Sequence, residues 1–141
     1  MRIWSKNLIN VLPNKQLKAM RYELGDMIKQ YPNIKHPLTK FANDYDIGFL
    51  GNYFCQVCDE MDERGLSHLI SYDGEILNIV RDSSQFGDYD KYADMDLQFK
   101  EDNKRYLKQQ YYNLQEKADR GAITGEDWNK IDKLVRSKVT L

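Results

Sequence analysis

The chain has 141 residues, with 21 Lys+Arg against 22 Asp+Glu, 41% hydrophobic and 30% charged. That profile fits one globular domain over residues 1–141 and excludes a multidomain assembly. Two cysteines exclude a disulfide framework, and no stretch approaches the ~18 apolar residues of a membrane span, so a cytoplasmic protein with reduced Cys55 and Cys58 is expected. The net charge of −1 hides a division: residues 1–40 hold eight bases and two acids, residues 41–101 four and fourteen, residues 102–141 nine and six. The near-neutral total therefore excludes a uniformly basic protein that coats nucleic acid, and leaves open a one-faced one.

In chain order, Asn14 after Pro13 reads as the N-cap of a helix running to about Tyr31, where Pro32 ends it. Leu17, Met20, Leu24, Met27, Ile28 and Tyr31 form one stripe at helical spacing, which leaves Lys15, Lys18 and Tyr22 outward. Glu23 falls about 90° from the centre of that stripe, at the edge between core and solvent. Pro37 can open a short helix with Leu38 and Phe41 inward. Ile47, Leu50, Phe54, Val57 and Met61 repeat at 3-4-3-4 spacing, an amphipathic helix that Gly65 closes as its C′ residue.

Residues 66–80 fit either a small hairpin turning at Tyr72-Asp73-Gly74-Glu75 or a helix. Residues 81–95, rich in Asp, Ser and Gly, read as a long polar loop. A helix from about Asp102 with Tyr106, Leu107, Tyr111, Leu114 and Ala118 runs to Gly121, and Thr124 then caps a last helix with Trp128, Ile131, Leu134 and Val135. The expected fold is a mainly α, compact helical bundle.

Phosphate-binding glycine loops and the G-x-S-x-G elbow are absent from the sequence. Cys55-Gln56-Val57-Cys58 matches C-x-x-C, and with His36 and His68 a zinc site is conceivable. The pair lies inside a strong helical repeat, however, where cysteines serve as small buried hydrophobes, so no metal or cofactor is expected. Tyr111 and Tyr112 beside Lys104, Arg105 and Lys108 suit either the edge of a core or stacking on bases.

The opening Met1-Arg2-Ile3-Trp4 carries more chemistry. A large second residue spares the initiator, so the Met1 α-amine is expected to persist. Its unperturbed pKa of about 7.7–8.0, against about 10.4 for lysine, leaves part of it neutral near pH 7. The adjacent Arg2 lowers it further. Such an amine can attack a carbon at the aldehyde oxidation level, for instance C1′ of a deoxyribose, and form a Schiff base. A frayed terminus is the plainer reading of the same residues.

Met1-Arg2-Ile3-Trp4, Leu12-Pro13-Asn14-Lys15-Gln16-Leu17, Arg21-Tyr22-Glu23-Leu24, Lys35-His36-Pro37 and Asp59-Glu60-Met61-x-x-Arg64-Gly65 together resemble the pyrimidine-dimer DNA glycosylase family typified by bacteriophage endonuclease V, in its bacterial and phage branch. The resemblance covers residues 1–65. It implies a helical bundle of the endonuclease V type whose N-terminal amine lies near a helix-borne glutamate, with Met1 and Glu23 catalytic. It further implies excision of a damaged base from duplex DNA by attack of the amine on C1′, followed by β-elimination at the abasic site. Arg2, Lys15, Lys18, Arg21, Lys35 and His36 are then the candidate DNA contacts, with Lys6 and Lys40 adding positive charge. His36 before Pro37 also reads as a capping or merely exposed residue. Two departures from the archetype, Met in place of Thr as the amine-bearing residue and a tail after Val135 without aromatics, leave the lesion open. A non-catalytic nucleic-acid or protein-binding module on the same scaffold is the alternative, and a metal or redox protein built on Cys55 and Cys58 a third.

Overall fold

The apolar stripe that begins at Leu17 becomes the first long helix of the molecule. The computed structural model describes residues 2–141. Within them the chain forms α1 Asn14–Gln30, α2 Gly48–Glu63, α3 Ile70–Ser83, α4 Tyr89–Asp94, α5 Lys104–Asp119 and α6 Gly125–Lys138, with 3-10 turns at Lys6–Leu8 and Lys40–Asp44 and no strand. Every helix contributes to one hydrophobic core, from Leu17 and Met20 on α1 to Ile131 and Val135 on α6. None of these helices is long and apolar enough to cross a membrane.

Leu17, Met20, Leu24, Met27 and Ile28 are all buried and Tyr31 packs against them, while Lys15, Lys18 and Tyr22 face outward. Pro13, not Asn14, caps α1, and its carbonyl accepts from Leu17 N at 3.0 Å. The Asn14 side chain is engaged elsewhere, its Oδ1 accepting from Arg64 Nη1 at 3.0 Å. The helix ends at the Tyr31–Pro32 peptide, which is cis.

The α2 stripe Leu50, Phe54, Val57 and Met61 is buried with Ile47 before it. Gly65, at φ +70°, closes this helix. Leu66 N donates to Met61 O at 2.8 Å and Gly65 N to Asp62 O at 3.0 Å, the paired bonds that satisfy the last carbonyls of a helix ending in a left-handed residue. Arg64, just before it, pairs with Glu60 at 2.8 Å and donates to Leu12 O at 2.6 Å and Asn10 O at 3.1 Å. The loop that leads into α1 is thereby tied to the end of α2. At Gly51 an added Cβ would lie 2.7 Å from Val80 Cγ1 and 3.0 Å from Tyr92 Cε2, so this glycine lets α3 and α4 pack on the α2 backbone.

Residues 66–80 hold no hairpin. Asp73, Ile76 and Val80 fall on one helical face that docks against α1 and α2, and Gly74 lies in the exposed interior of α3. Burial of that face overrides the turn propensity of Asp73-Gly74. The polar segment 81–95 likewise contains helix at both ends, because Val80 and Tyr92 are fully buried and Asn52 Nδ2 donates to Tyr92 O at 2.8 Å and Met95 O at 2.9 Å. At Pro37 the chain makes a turn and the 3-10 segment starts at Lys40. Phe41 is half-buried against Phe99, but Leu38 points outward.

Asn103 caps α5, its Oδ1 accepting from Tyr106 N at 3.0 Å, and Gly121 at φ +79° closes it. Thr124 caps α6 through Asp127 N at 3.2 Å. Tyr111 seals the α5–α6 pair against Trp128, with its hydroxyl on Asp132 at 2.5 Å.

Candidate active site

The extended segment 2–5 is fixed by a polar side chain buried in α5. Gln110 is only 4% exposed. Its Nε2 donates to Ile3 O at 2.7 Å and its Oε1 accepts from Ser5 N at 2.5 Å, so one amide holds both edges of the segment as a neighbouring strand would. The Tyr106 hydroxyl also donates to Ile3 O. Burial, with Asp102 adding to it, raises the Tyr106 phenol above its ordinary pKa and keeps that donor protonated. One residue further on, Lys6 N donates to Asp102 Oδ2 at 2.8 Å, and Tyr53 OH donates to the same oxygen at 2.7 Å. Ile3 and Trp4 are buried.

This clamp sets the start of the segment against α1. Arg2 N donates to Glu23 Oε2 at 3.4 Å. Glu23 is half-buried at the core boundary, as its helical angle requires. Around it lies a cleft of about 190 Å³ lined by Arg2, Trp4, Lys15, Gln16, Ala19 and Lys117. The Arg2 guanidinium stacks over the Trp4 ring at 5.0 Å. Three cations therefore surround a single carboxylate, an arrangement suited to an anionic ligand that must approach a carboxylate closely. The Gln16 side-chain oxygen is buried and has no hydrogen-bond partner among the described residues.

The other expected residues divide. Lys18 is exposed on α1, one turn after Lys15. Lys35 is exposed and His36 half-buried in the loop before Pro37, where His36 Nδ1 accepts from Leu38 N at 3.2 Å. Leu38 of that loop, 56% exposed, shares a second, shallow groove of about 100 Å³ with Arg2, Tyr106 and Asn113, and Arg2 alone lines both this groove and the Glu23 cleft.

Arg21 does not join them. It is 1% exposed, and its guanidinium pairs with Asp73 Oδ1 at 2.5 Å and donates to Leu69 O at 3.2 Å. Burial opposes the charge, but the bonds to Asp73 and Tyr22 outweigh it and hold Arg21 above its ordinary pKa. Its position explains this: Leu17, Arg21, Leu24 and Ile28 share one face of α1, two residues and about 200° from Glu23. Lys6 is likewise engaged inside the fold, with Asn52 Oδ1, with Leu97 O at 2.5 Å and over the Tyr53 ring at 4.6 Å. Burial lowers its ammonium below the ordinary value, although Asp96 and Asp102 act against this. Met1, expected to supply the reactive amine, lies outside the described residues.

Sequence reasoning missed Gln110, Tyr106 and Lys117. Gln110 left a trace, since it is a polar residue on the stripe Leu107, Tyr111 and Leu114, and a buried amide needs partners for both its atoms. Lys117, half-buried at the cleft, left none, because a lysine on the polar flank of an amphipathic helix is ordinary.

A family model described as pyrimidine dimer DNA glycosylase matches residues 1–72, the stretch that holds the N-terminal segment, α1, α2 and the start of α3. No curated protein and no solved structure matches the chain.

Proposed function

The chain belongs to the pyrimidine dimer DNA glycosylase family, a family of DNA repair enzymes, and on that premise we propose that residues 1–141 form one glycosylase domain with abasic-site lyase activity whose nucleophile is the Met1 α-amine. The observation that carries this reading is the contact between Arg2 N and the Glu23 carboxylate at 3.4 Å. The α-amine is a single residue, at most about 3.6 Å of chain, before that atom.

In the proposed reaction the neutral amine adds to C1′ of a damaged deoxynucleotide as the bond from C1′ to the base breaks, and the base leaves with the electron pair and a proton. Loss of the amine proton and opening of the sugar ring give an imine between nitrogen and C1′. Removal of a C2′ proton then expels the 3′ phosphate by β-elimination, and water releases the chain end. Glu23 is suited to two parts of this sequence, because a carboxylate stabilises the developing iminium and can carry the proton between ring oxygen and C2′. The unpartnered Gln16 oxygen can accept a hydrogen bond from an amine entering the cleft. Arg2 and Lys15 at the cleft, Lys18 on α1, and Lys35 with His36 in the neighbouring loop supply contacts to the DNA backbone. Arg21 is a core ion pair in this reading and has no part in binding.

The test is a Glu23→Gln variant on abasic duplex DNA. Binding by gel shift stays near wild type while strand cleavage falls about 10²–10⁴-fold. Cleavage at the wild-type rate would remove Glu23 from the chemistry.

A further inference from the structure

Beneath α1, on the face away from Glu23, a cluster of polar groups lies where α2 turns into α3 and plays no part in the proposed reaction. Cys58 comes from α2, His68 from the link and Asp73 from the first turn of α3. Cys58 Sγ, a ring nitrogen of His68 and a carboxylate oxygen of Asp73 all lie within 4.8 Å of one another. Asp73 is buried, and Cys58 and His68 are half-buried. We propose that Cys58, His68 and Asp73 bind a zinc ion that fastens α3 to α2.

The donor set is that of zinc, a thiolate, an imidazole and a carboxylate. Bond lengths of about 2.0–2.3 Å in tetrahedral geometry place such donors about 3.3–3.6 Å apart, so side-chain rotation must open the hydrogen bond between His68 Nδ1 and Asp73 Oδ2 and draw Cys58 Sγ to the same point. Solvent takes the fourth position, since Asp62 lies on the far side of the imidazole.

The outer partners point the same way. His68 Nε2 bonds Asp62 Oδ1 at 2.6 Å, which leaves Nδ1, now on Asp73 Oδ2, as the atom that faces the cluster. Arg21 holds Asp73 through Oδ1 alone, by Nε at 2.8 Å and Nη2 at 2.5 Å, which leaves Oδ2 directed at the same point. A histidine ligand fixed through its other nitrogen by a carboxylate, and a carboxylate ligand fixed through its other oxygen, are the supports that zinc ligands ordinarily have. Cys55, although within the same C-x-x-C, is buried and is no member of the cluster.

Binding displaces protons: the Cys58 thiol proton, and any proton on His68 Nδ1, leave to solvent as Zn²⁺ enters.

Cobalt(II) titration of the reduced, full-length protein tests this, because a tetrahedral cobalt–thiolate site shows a charge-transfer band absent from oxygen and nitrogen sites. Wild type and Cys55→Ser take up one equivalent with that band, and added zinc abolishes it. Cys58→Ser, which keeps the Arg21–Asp73 pair, shows no band, and His68→Asn weakens uptake at least tenfold. Zinc raises the Tm of wild type and leaves that of Cys58→Ser unchanged. Absence of the band in wild type, or its loss from Cys55→Ser to the same degree as from Cys58→Ser, would overturn the proposal.

Discussion

Gln110 shows how one buried side chain can fix the geometry of a candidate site from outside the cleft. Its amide satisfies Ile3 O and Ser5 N, two backbone groups of a segment that no sheet supports. A Gln110→Leu variant leaves Ser5 N buried and unpaired, at about 1–3 kcal/mol, and leaves Ile3 O with the Tyr106 hydroxyl as its remaining donor. The expected outcome is a lower urea midpoint, together with slower cleavage of abasic DNA at nearly unchanged affinity, because the backbone contacts lie on other residues. Equal loss of affinity and rate would mean that Gln110 supports the whole fold and not the segment in particular. Glu23 was legible from sequence because its angle on α1 can be counted. Arg21 was misplaced, although it lies on the apolar face of that helix, because a buried guanidinium is stable only with a partner and Asp73 is 52 residues away.

Helices with a complete apolar stripe were readable, and those that depend on distant partners were not. The spacing in α1, α2, α5 and α6 forces one face inward whatever lies opposite. The span that becomes α3 is not short of apolar residues but carries the turn signal Asp73-Gly74 among them, and what decides its conformation is docking of Asp73, Ile76 and Val80 onto α1 and α2. Two glycines separate these cases. Gly65 has φ +70°, whereas Gly74 sits in a helix with nothing within 4 Å of an added Cβ. Gly65→Ala therefore destabilises by about 1–2 kcal/mol, and Gly74→Ala stabilises by about 0.5–1 kcal/mol. Urea unfolding reads both signs, and a destabilised Gly74→Ala would restore the hairpin for that segment.

At the scale of the whole molecule, the charge division acquires a location. The cleft is bounded by the N-terminal segment, α1 and α5, which come from the two basic portions of the chain, while the acidic middle portion forms α2, α3 and α4. The basic total of the first 40 residues overstated the surface charge, since Lys6 and Arg21 are engaged inside the fold. What remains of that portion, Arg2, Lys15, Lys18, Lys29, Lys35 and Lys40, joined at the cleft by Lys117 from α5, fits salt-dependent binding to phosphates. Two side-chain amines, those of Lys15 and Lys117, also line the cleft at Glu23 and compete with the Met1 α-amine as the proposed nucleophile. An unperturbed α-amine, with a pKa of about 7.7–8.0, is partly neutral near pH 7, which favours it for the attack.

The direct test of the central claim is borohydride trapping on abasic duplex DNA with a native, untagged N-terminus, followed by mass-spectrometric mapping of the reduced adduct. The account predicts a covalent complex carried by the Met1 nitrogen and abolished by any N-terminal extension. An adduct on Lys15 or Lys117, or none at all, would contradict it.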